Sequence, residues 1–214
     1  MADTESIKKN INTDTRDNRI TLPGIIKQIF DISVALLLLI FLSPLILFLY
    51  IIIRASGKGP VIYTQDRIGK NGKPFVIYKF RSMKNNAETE APMLSGLTED
   101  RITRIGRVLR KYRIDEIPNF FNVLKGDMSI VGPRPERQFF IDQIVIKNPD
   151  FKELLRVKPG ITSWGQVKYG YASSVDEMLE RLKYDLYYIK KKSLLFDLKI
   201  ILYTLGTIVK GKGL

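Results

Sequence analysis

The feature that most constrains this chain is an apolar run, ISVALLLLIFLSPLILFLYIII, which covers residues 32–53 without a charged side chain. A helix of this length and apolarity can cross a bilayer. A buried core helix is the alternative, but a run that is apolar on every side is rare in small soluble domains. The sequence therefore predicts a membrane segment, either a full span or a re-entrant one.

The middle of the run carries Ser43-Pro44. Proline removes a backbone hydrogen bond and kinks a helix, and the serine hydroxyl can satisfy a carbonyl that the kink frees. Asp31, at the N-terminal edge, is tolerable at an interface and costly deeper. The positive-inside rule indicates no orientation, because five basic residues lie on each side: Lys8, Lys9, Arg16, Arg19 and Lys27 before the run, and Arg54, Lys58, Arg67, Lys70 and Lys73 after it. Equal flanks fit two cytoplasmic ends, yet these features alone leave span and re-entrant segment equally open.

Composition excludes several kinds of chemistry. The 214 residues contain no histidine and no cysteine, so Cys/His zinc sites, Ser-His-Asp triads, cysteine nucleophiles and disulfides are impossible. The formal net charge of +13 indicates a polyanionic partner: nucleic acid, an anionic membrane face or phosphorylated substrates. Any catalysis must use carboxylates, hydroxyls, Lys, Arg or a hard metal ion.

After the apolar run, residues 60–66 and 74–80 are β-type segments around an Asn-Gly turn, which predicts a hairpin ending near Lys79 and Arg81. A polar loop is predicted over 84–98. The sequence DRITRIGRVLRKY, residues 100–112, predicts a basic amphipathic helix, in which Gly106 indicates a close backbone approach.

The densest group of polar residues follows this helix. Asp115 and Glu116 lie just before Pro118, where a helix can begin, and exposed amides there stabilise carboxylates. Neighbouring cations and a bridging divalent ion would let such carboxylates face phosphates. The segments Gly-Asp-Met-Ser, with Asp127, and Gly-Pro-Arg-Pro, with Pro133 and Arg134, predict a rigid loop that holds one arginine as an anion fork.

The C-terminal third predicts a turn-rich loop over 157–166 and two helices. Residues 174–190 are amphipathic, capped by Ser174 with Glu177 three positions on, and present Leu179, Leu182, Leu186 and Ile189 on one face. Residues 194–209 are apolar but contain Asp197 and Lys199, which predicts a helix lying on a bilayer.

Five ordered blocks now carry a family resemblance: KQIFDISVALLLLIFLSPL, IYKFRSM, IDEIPNFFNVLKGDMSIVGPRPE, VKPGITSWGQV and SLLFDLKIILYTL. Together they resemble the bacterial sugar transferases, the monotopic polyprenyl-phosphate phosphoglycosyl transferases, in their small form. The resemblance covers about residues 25–209. One departure is Ile117-Pro118-Asn119, where many relatives have Leu-Pro-Gln or Leu-Leu-Gln, and it could alter local packing.

The resemblance implies transfer of a sugar 1-phosphate from a UDP-sugar to undecaprenyl phosphate, with release of UMP. It also implies that Mg²⁺ assists and that a covalent phosphosugar–aspartate intermediate is formed. Asp115 would be the nucleophile on the β-phosphate and would also lie at the metal. Glu116 would help to hold the metal or would orient the second substrate. Lys79, Arg81, Arg110 and Arg134 would contact phosphates. Asp127 and Pro133 match motif positions without an assigned role.

The resemblance also implies a mainly α fold with a small β-hairpin. Its parts would be a polar tail (1–24), a re-entrant membrane helix broken at Ser43-Pro44 (25–54) and a cytoplasmic catalytic domain with interfacial helices (55–214). The expected location is the cytoplasmic face of a bacterial inner membrane. No prediction is made for the oligomeric state, the sugar or the glycan pathway.

Two alternatives stay open. A non-enzymatic basic membrane adaptor would bind anionic lipid or nucleic acid and would not need the Asp-Glu dyad; nucleic acid is disfavoured because the basic helix has an apolar stripe and no recognition module accompanies it. An inactive scaffold of the same fold is disfavoured by the intact dyad.

Overall fold

The structure is a computed structural model that describes residues 21–84 and 101–211. Short 3₁₀ turns also occur at Lys70–Gly72, Ile114–Glu116 and Pro149–Arg156. In chain order the helices and strands are α1 Leu22–Phe41, α2 Ser43–Ala55, β1 Ile62–Ile68, β2 Pro74–Phe80, α3 Arg104–Lys111, α4 Asn119–Lys125, β3 Ser129–Val131, α5 Gln138–Lys147, β4 Gly160–Thr162, α6 Trp164–Lys168, α7 Val175–Lys191 and α8 Leu194–Val209.

The apolar run forms two helices, α1 and α2, separated at Leu42. The predicted break at Ser43-Pro44 is confirmed. Ser43 Oγ donates to the carbonyl of Ile40 at 2.8 Å, which is the carbonyl that the missing N–H of Pro44 would otherwise have paired. By length and composition α1 could cross a membrane, and most of its side chains are not buried in the protein. The re-entrant path itself stays a prediction.

The N-terminal boundary of α1 differs from the predicted one. The helix begins at Leu22 rather than at residue 25, because Thr21 Oγ1 accepts from the amide of Gly24 at 3.3 Å and Pro23 suits a first turn. The rest of the predicted polar tail, residues 1–20, lies outside the described residues.

The predicted hairpin is confirmed as β1 and β2, antiparallel with Ile62 opposite Phe80 and Ile68 opposite Pro74. Asn71 takes the left-handed conformation in the connection, with φ 58°. Most of the predicted loop over 84–98 lies outside the described residues.

The basic helix is shorter than predicted. Thr103 Oγ1 caps α3 by accepting from Gly106 N at 2.9 Å, and Ile102 pairs with Met83 in an isolated β-bridge before the helix begins. The close approach at Gly106 is confirmed, since a Cβ there would overlap the Ser82 carbonyl.

A second sheet corrects two loop predictions. β3 and β4 pair in parallel, with Ser129 opposite Gly160 and Val131 opposite Thr162. The segments 126–135 and 157–166 are therefore not simple loops, and the second also contains helix α6. Each strand has three largely buried residues, too few to show a period of two in the sequence.

The C-terminal helices match their predictions closely. Ser174 caps α7 by accepting from Glu177 N at 3.2 Å, although the Glu177 carboxylate accepts from Ser173 rather than from Ser174. Leu182 is buried on the predicted face, and Leu179, Leu186 and Ile189 pack around it in part. Helix α8 exposes an apolar row: Leu195, Leu198, Leu202, Leu205 and Val209. Its lying on a bilayer stays a prediction.

A buried ionic network joins α1 to the rest of the protein. Lys27 Nζ lies 2.7 Å from Asp31 Oδ1, 2.7 Å from Ser129 Oγ and 3.1 Å from Asp197 Oδ2. Asp31 also accepts from Ser129 Oγ at 2.7 Å and from the amide of Ile130 at 3.2 Å. Both aspartates are almost fully buried, so Asp31 attaches α1 to β3 and Asp197 attaches α8 to Lys27 of α1.

Candidate active site

The Asp-Glu pair lies in the tight connection between α3 and α4. Arg113 is left-handed, with φ 54°, and turns the chain into the 3₁₀ turn Ile114–Glu116. Pro118 then precedes the first residue of α4, as predicted for a helix start. The result is that Asp115 and Glu116 are carried inward, and both are about 95% buried.

Glu116 is surrounded by cations. Its Oε1 accepts from Lys79 Nζ at 2.6 Å and lies 3.5 Å from Arg134 Nη1. Its Oε2 accepts from Arg113 Nη2 at 2.7 Å and Nε at 3.0 Å. Burial alone would raise the pKa of Glu116, but the charges of Arg113, Lys79 and Arg134 outweigh it and hold that pKa well below its ordinary value. Glu116 is therefore a fixed anion.

Asp115 has a different environment. It makes no ion pair with any residue that the structure describes. Burial raises its pKa to about 6, helped by the Glu116 charge and opposed by the more distant charges of Lys79, Arg110 and Arg113. At neutral pH its carboxylate is mostly ionised, poorly solvated and not held by a cation. These are the properties of an available nucleophile.

The proline-flanked loop brings Arg134 next to Glu116 of the dyad. Its guanidinium stacks on the ring of Tyr171 at 5.3 Å, and the Gln166 side-chain oxygen accepts from Nη1 at 2.6 Å in the amide orientation that satisfies its neighbours. The Pro133 carbonyl accepts from the amide of Gly160 at 2.8 Å, which ties the loop to β4. Arg134 is thus fixed from three sides.

The loop is held from behind by a buried acid. Glu136 pairs with Arg181 of α7 through a short hydrogen bond, and with Arg67 of β1 at 3.5 Å. Arg67 Nη1 also donates to the Pro135 carbonyl at 3.1 Å. Burial lowers the pKa of Arg67 to about 10, so this arginine stays protonated at neutral pH.

A cavity opens beside Glu116. Its lining combines the cations of the site with short stretches of the two sheets, and includes Arg67, Ile77, Lys79, Glu116, Asn119, Met128, Arg134, Pro135, Gly160 and Ile161. The walls are strongly positive, which suits a phosphorylated ligand.

Not every predicted phosphate contact lies here. Arg110 is close enough for its charge to act on Asp115, and its Nη1 is buried without a hydrogen-bond partner among the described residues. Arg81 instead caps the C-terminus of α2, donating to the carbonyls of Ile53, Gly57 and Lys58 at 2.8–3.1 Å. Asp127 is half-buried, 3.4 Å from Lys125, and makes no contact with the dyad.

Sequence reasoning missed several residues of the site. Arg113 could have been found from its i,i+3 spacing to Glu116, since residues three apart meet on a helical turn. Gln166, Tyr171 and Asn119 had no comparable signal, because their role depends on which distant segments the fold brings together.

The site offers limited protein ligands for a metal ion. Among the described residues no three acidic side chains are close enough to share a cation. Mg²⁺ is commonly held by one or two carboxylates together with substrate phosphates and water. Asp115 fits that donor set, whereas both oxygens of Glu116 already contact cations. The arrangement fits a metal ion bound by the protein and by a substrate phosphate together, with Asp115 as the main protein ligand.

Comparison with known proteins identifies the class. A profile of the bacterial sugar transferase family matches residues 22–211, and the chain belongs to this family. It is 44% identical over 188 residues to a UDP-N-acetylgalactosamine-undecaprenyl-phosphate N-acetylgalactosaminephosphotransferase of Aeromonas hydrophila, covering 88% of this chain and 44% of the relative.

Of two further relatives, one is much longer than this chain and the other is similar to it in length. A UDP-glucose:undecaprenyl-phosphate glucose-1-phosphate transferase of Escherichia coli (strain K12) is 37% identical, covering 84% of this chain and 39% of the relative. An uncharacterized sugar transferase of Bacillus subtilis (strain 168) is 37% identical, covering 89% of this chain and 90% of the relative. The chain thus spans less than half the length of the first two relatives.

Proposed function

We propose that this protein transfers a sugar 1-phosphate from a UDP-sugar to undecaprenyl phosphate and releases UMP. The observation that carries the proposal is the asymmetry of the dyad: Glu116 is neutralised by three cations, while Asp115 beside it has no ion-pair partner in the described chain. The relatives of Aeromonas hydrophila and Escherichia coli have names that state a UDP-sugar and undecaprenyl phosphate, and the excess of cations around Glu116 favours phosphorylated ligands.

In the first half-reaction a carboxylate oxygen of Asp115 attacks the β-phosphorus of the UDP-sugar. The new oxygen–phosphorus bond replaces the bond to the bridging oxygen, which leaves with its electron pair on UMP. In the second half-reaction a phosphate oxygen of undecaprenyl phosphate attacks the same phosphorus. Asp115 leaves as a carboxylate, and the product is a sugar joined through a diphosphate to the lipid.

The cations of the site have distinct roles in this scheme. Arg110, whose buried Nη1 has no hydrogen-bond partner among the described residues, would contact a phosphoryl oxygen near Asp115. Lys79 and Arg134 hold Glu116 and keep the cavity positive, so charge on the phosphates is neutralised without acid–base chemistry. Mg²⁺, held by Asp115 and the substrate, would supply further neutralisation of the diphosphate.

Membrane attachment completes the proposal. The helices α1 and α2 would enter and leave on the cytoplasmic face of a bacterial inner membrane, and the exposed row on α8 would lie along it. One substrate is soluble and the other has its phosphate at the bilayer surface, so a shallow anchor would place the site where both meet.

Single cysteines at Asn10 and Lys58 should both react with a label applied from the cytoplasmic side. Labelling of position 10 from outside would indicate a span.

The decisive activity assay measures UMP release from membranes given undecaprenyl phosphate and, in turn, UDP-N-acetylgalactosamine, UDP-glucose and UDP-galactose. We expect sustained, multiple-turnover release that requires both substrates and is abolished by Asp115→Asn and by EDTA. Asp176→Asn, at an exposed carboxylate on α7, is the matched control and should retain activity. Lipid binding that persists without any UMP release, and is unaffected by Asp115→Asn, would instead indicate a membrane adaptor.

A further inference from the structure

Asn119, the first residue of α4, has a buried and unsatisfied side chain. It is 4% exposed, and its Oδ1 is fully buried without a hydrogen-bond donor among the described residues. Leaving an acceptor in that state is unfavourable. The side chain lines the cavity together with Lys79, Glu116 and Arg134. A ligand in that cavity would be able to supply the missing donor.

A second asparagine on the same helix shows what a purely structural side chain looks like here. Asn122 is completely buried, its Nδ2 donates to the carbonyl of Val76 at 2.7 Å, and its Oδ1 accepts from the amide of Tyr78 at 3.3 Å. The fold therefore satisfies Asn122 by pairing it with β2. Asn119, one turn earlier, is buried to the same degree without such pairing.

The chemistry of the cavity restricts what can pair with Asn119. An amide oxygen only accepts hydrogen bonds, and ionised phosphates have no donor to offer. A divalent cation at this oxygen is disfavoured by the charges of Arg67, Lys79 and Arg134 on the same walls. Apart from water, the partner that can donate to this oxygen is a hydroxyl or N–H group on the uncharged part of the ligand.

We propose that Asn119 binds the nucleotide sugar through a hydroxyl or N–H donor, on either its sugar or its nucleoside. This inference rests on the proposed function, because it takes the ligand of the cavity to be a UDP-sugar. It adds a neutral contact beside the cations of the cavity.

The test compares Asn119→Leu with Asn122→Leu, since leucine resembles asparagine in shape and lacks its polar atoms. Binding is titrated calorimetrically in the full chain carrying Asp115→Asn, so that no turnover occurs, with UDP-N-acetylgalactosamine, UDP-glucose and UMP as probes. We expect Asn119→Leu to raise the Kd for the UDP-sugars by about 3- to 10-fold, the effect of one neutral hydrogen bond. A parallel rise for UMP places the donor on the nucleoside, and an unchanged Kd for UMP places it on the sugar.

Thermal unfolding separates this role from a structural one. Asn119→Leu should leave the Tm unchanged or higher, because it removes an unpaired polar atom, whereas Asn122→Leu should lower it by breaking two hydrogen bonds to β2. Unchanged affinities for all three probes would overturn the binding role of Asn119, whatever its effect on the Tm, and a lowered Tm would then indicate a structural role. Absence of UMP release by the wild-type chain would refute the proposed function itself.

Discussion

Replacing the two acids of the dyad should change stability in opposite directions. The pKa of Asp115 is about 6 in the folded protein against an ordinary value of 3.8. Between these values the folded chain binds a proton that the unfolded chain has lost, so the free energy of unfolding falls as pH rises from about 4 to about 6. Above pH 6 the ionised Asp115 destabilises the protein by about 3 kcal/mol.

Asp115→Asn removes this penalty while keeping the shape of the side chain. We expect the variant to match the wild type in stability below about pH 4 and to exceed it by about 3 kcal/mol at pH 8, a Tm increase of roughly 6–12 °C. It should also lose turnover, because an amide cannot act as the nucleophile. The protein would be more stable without its proposed catalytic group.

Glu116→Gln is the matched comparison. It leaves Lys79 and Arg113 buried without their counter-charge, so we expect a loss of about 3–5 kcal/mol at pH 8. Because the pKa of Glu116 is held low, the stability that its charge contributes is present above the ordinary pKa and is lost as pH falls through the lowered one.

The assay is thermal and urea unfolding of the wild type and both variants in one detergent, from pH 4 to pH 8. A destabilised Asp115→Asn variant at pH 8 would refute the reasoning, since it would mean that the folded protein stabilises the ionised carboxylate. Equal effects of the two substitutions would refute the asymmetry of the dyad.

Three further changes test the fold around the site. Gly106→Ala should lower the Tm by several degrees, because the added methyl group overlaps the Ser82 carbonyl, and an unchanged Tm would contradict the close approach. Lys27→Met should cost about 3–5 kcal/mol in unfolding experiments by leaving Asp31 buried without its cation, and a neutral effect would mean that the network is not ionic. Arg81→Met should lower the Tm by uncapping α2, whereas weaker UDP-sugar binding at an unchanged Tm would restore its predicted phosphate contact.

Local sequence signals anticipated those parts of the structure that depend on neighbouring residues. The break at Ser43-Pro44 follows from proline chemistry, the β1–β2 hairpin from an Asn-Gly turn between apolar runs, and the close approach at Gly106 from a glycine inside a helix. The placement of the dyad before a helix also follows from Pro118, which suits a helix start.

Features that join distant segments could not be anticipated in this way. Asp31 accepts a hydrogen bond from Ser129, which lies 98 positions away in the sequence. Arg113 donates to the carbonyl of Ile161, which lies 48 positions away. The sequence predicts Arg81 as a phosphate ligand, because its neighbours in the sequence do not indicate that it hydrogen-bonds to carbonyls at the end of α2. The distinction between Glu116 and Asp115 likewise arises only from the tertiary positions of the surrounding cations.

The central claim is that Asp115 accepts the phosphosugar covalently. It is tested most directly by mixing the enzyme with UDP-sugar in the absence of undecaprenyl phosphate, measuring UMP and analysing the peptide that contains Asp115 by mass spectrometry. We expect a burst of about one UMP per enzyme molecule and a sugar-phosphate adduct on Asp115, both absent from Asp115→Asn. UMP release that occurs only with undecaprenyl phosphate present, with an unmodified Asp115 peptide, would contradict it.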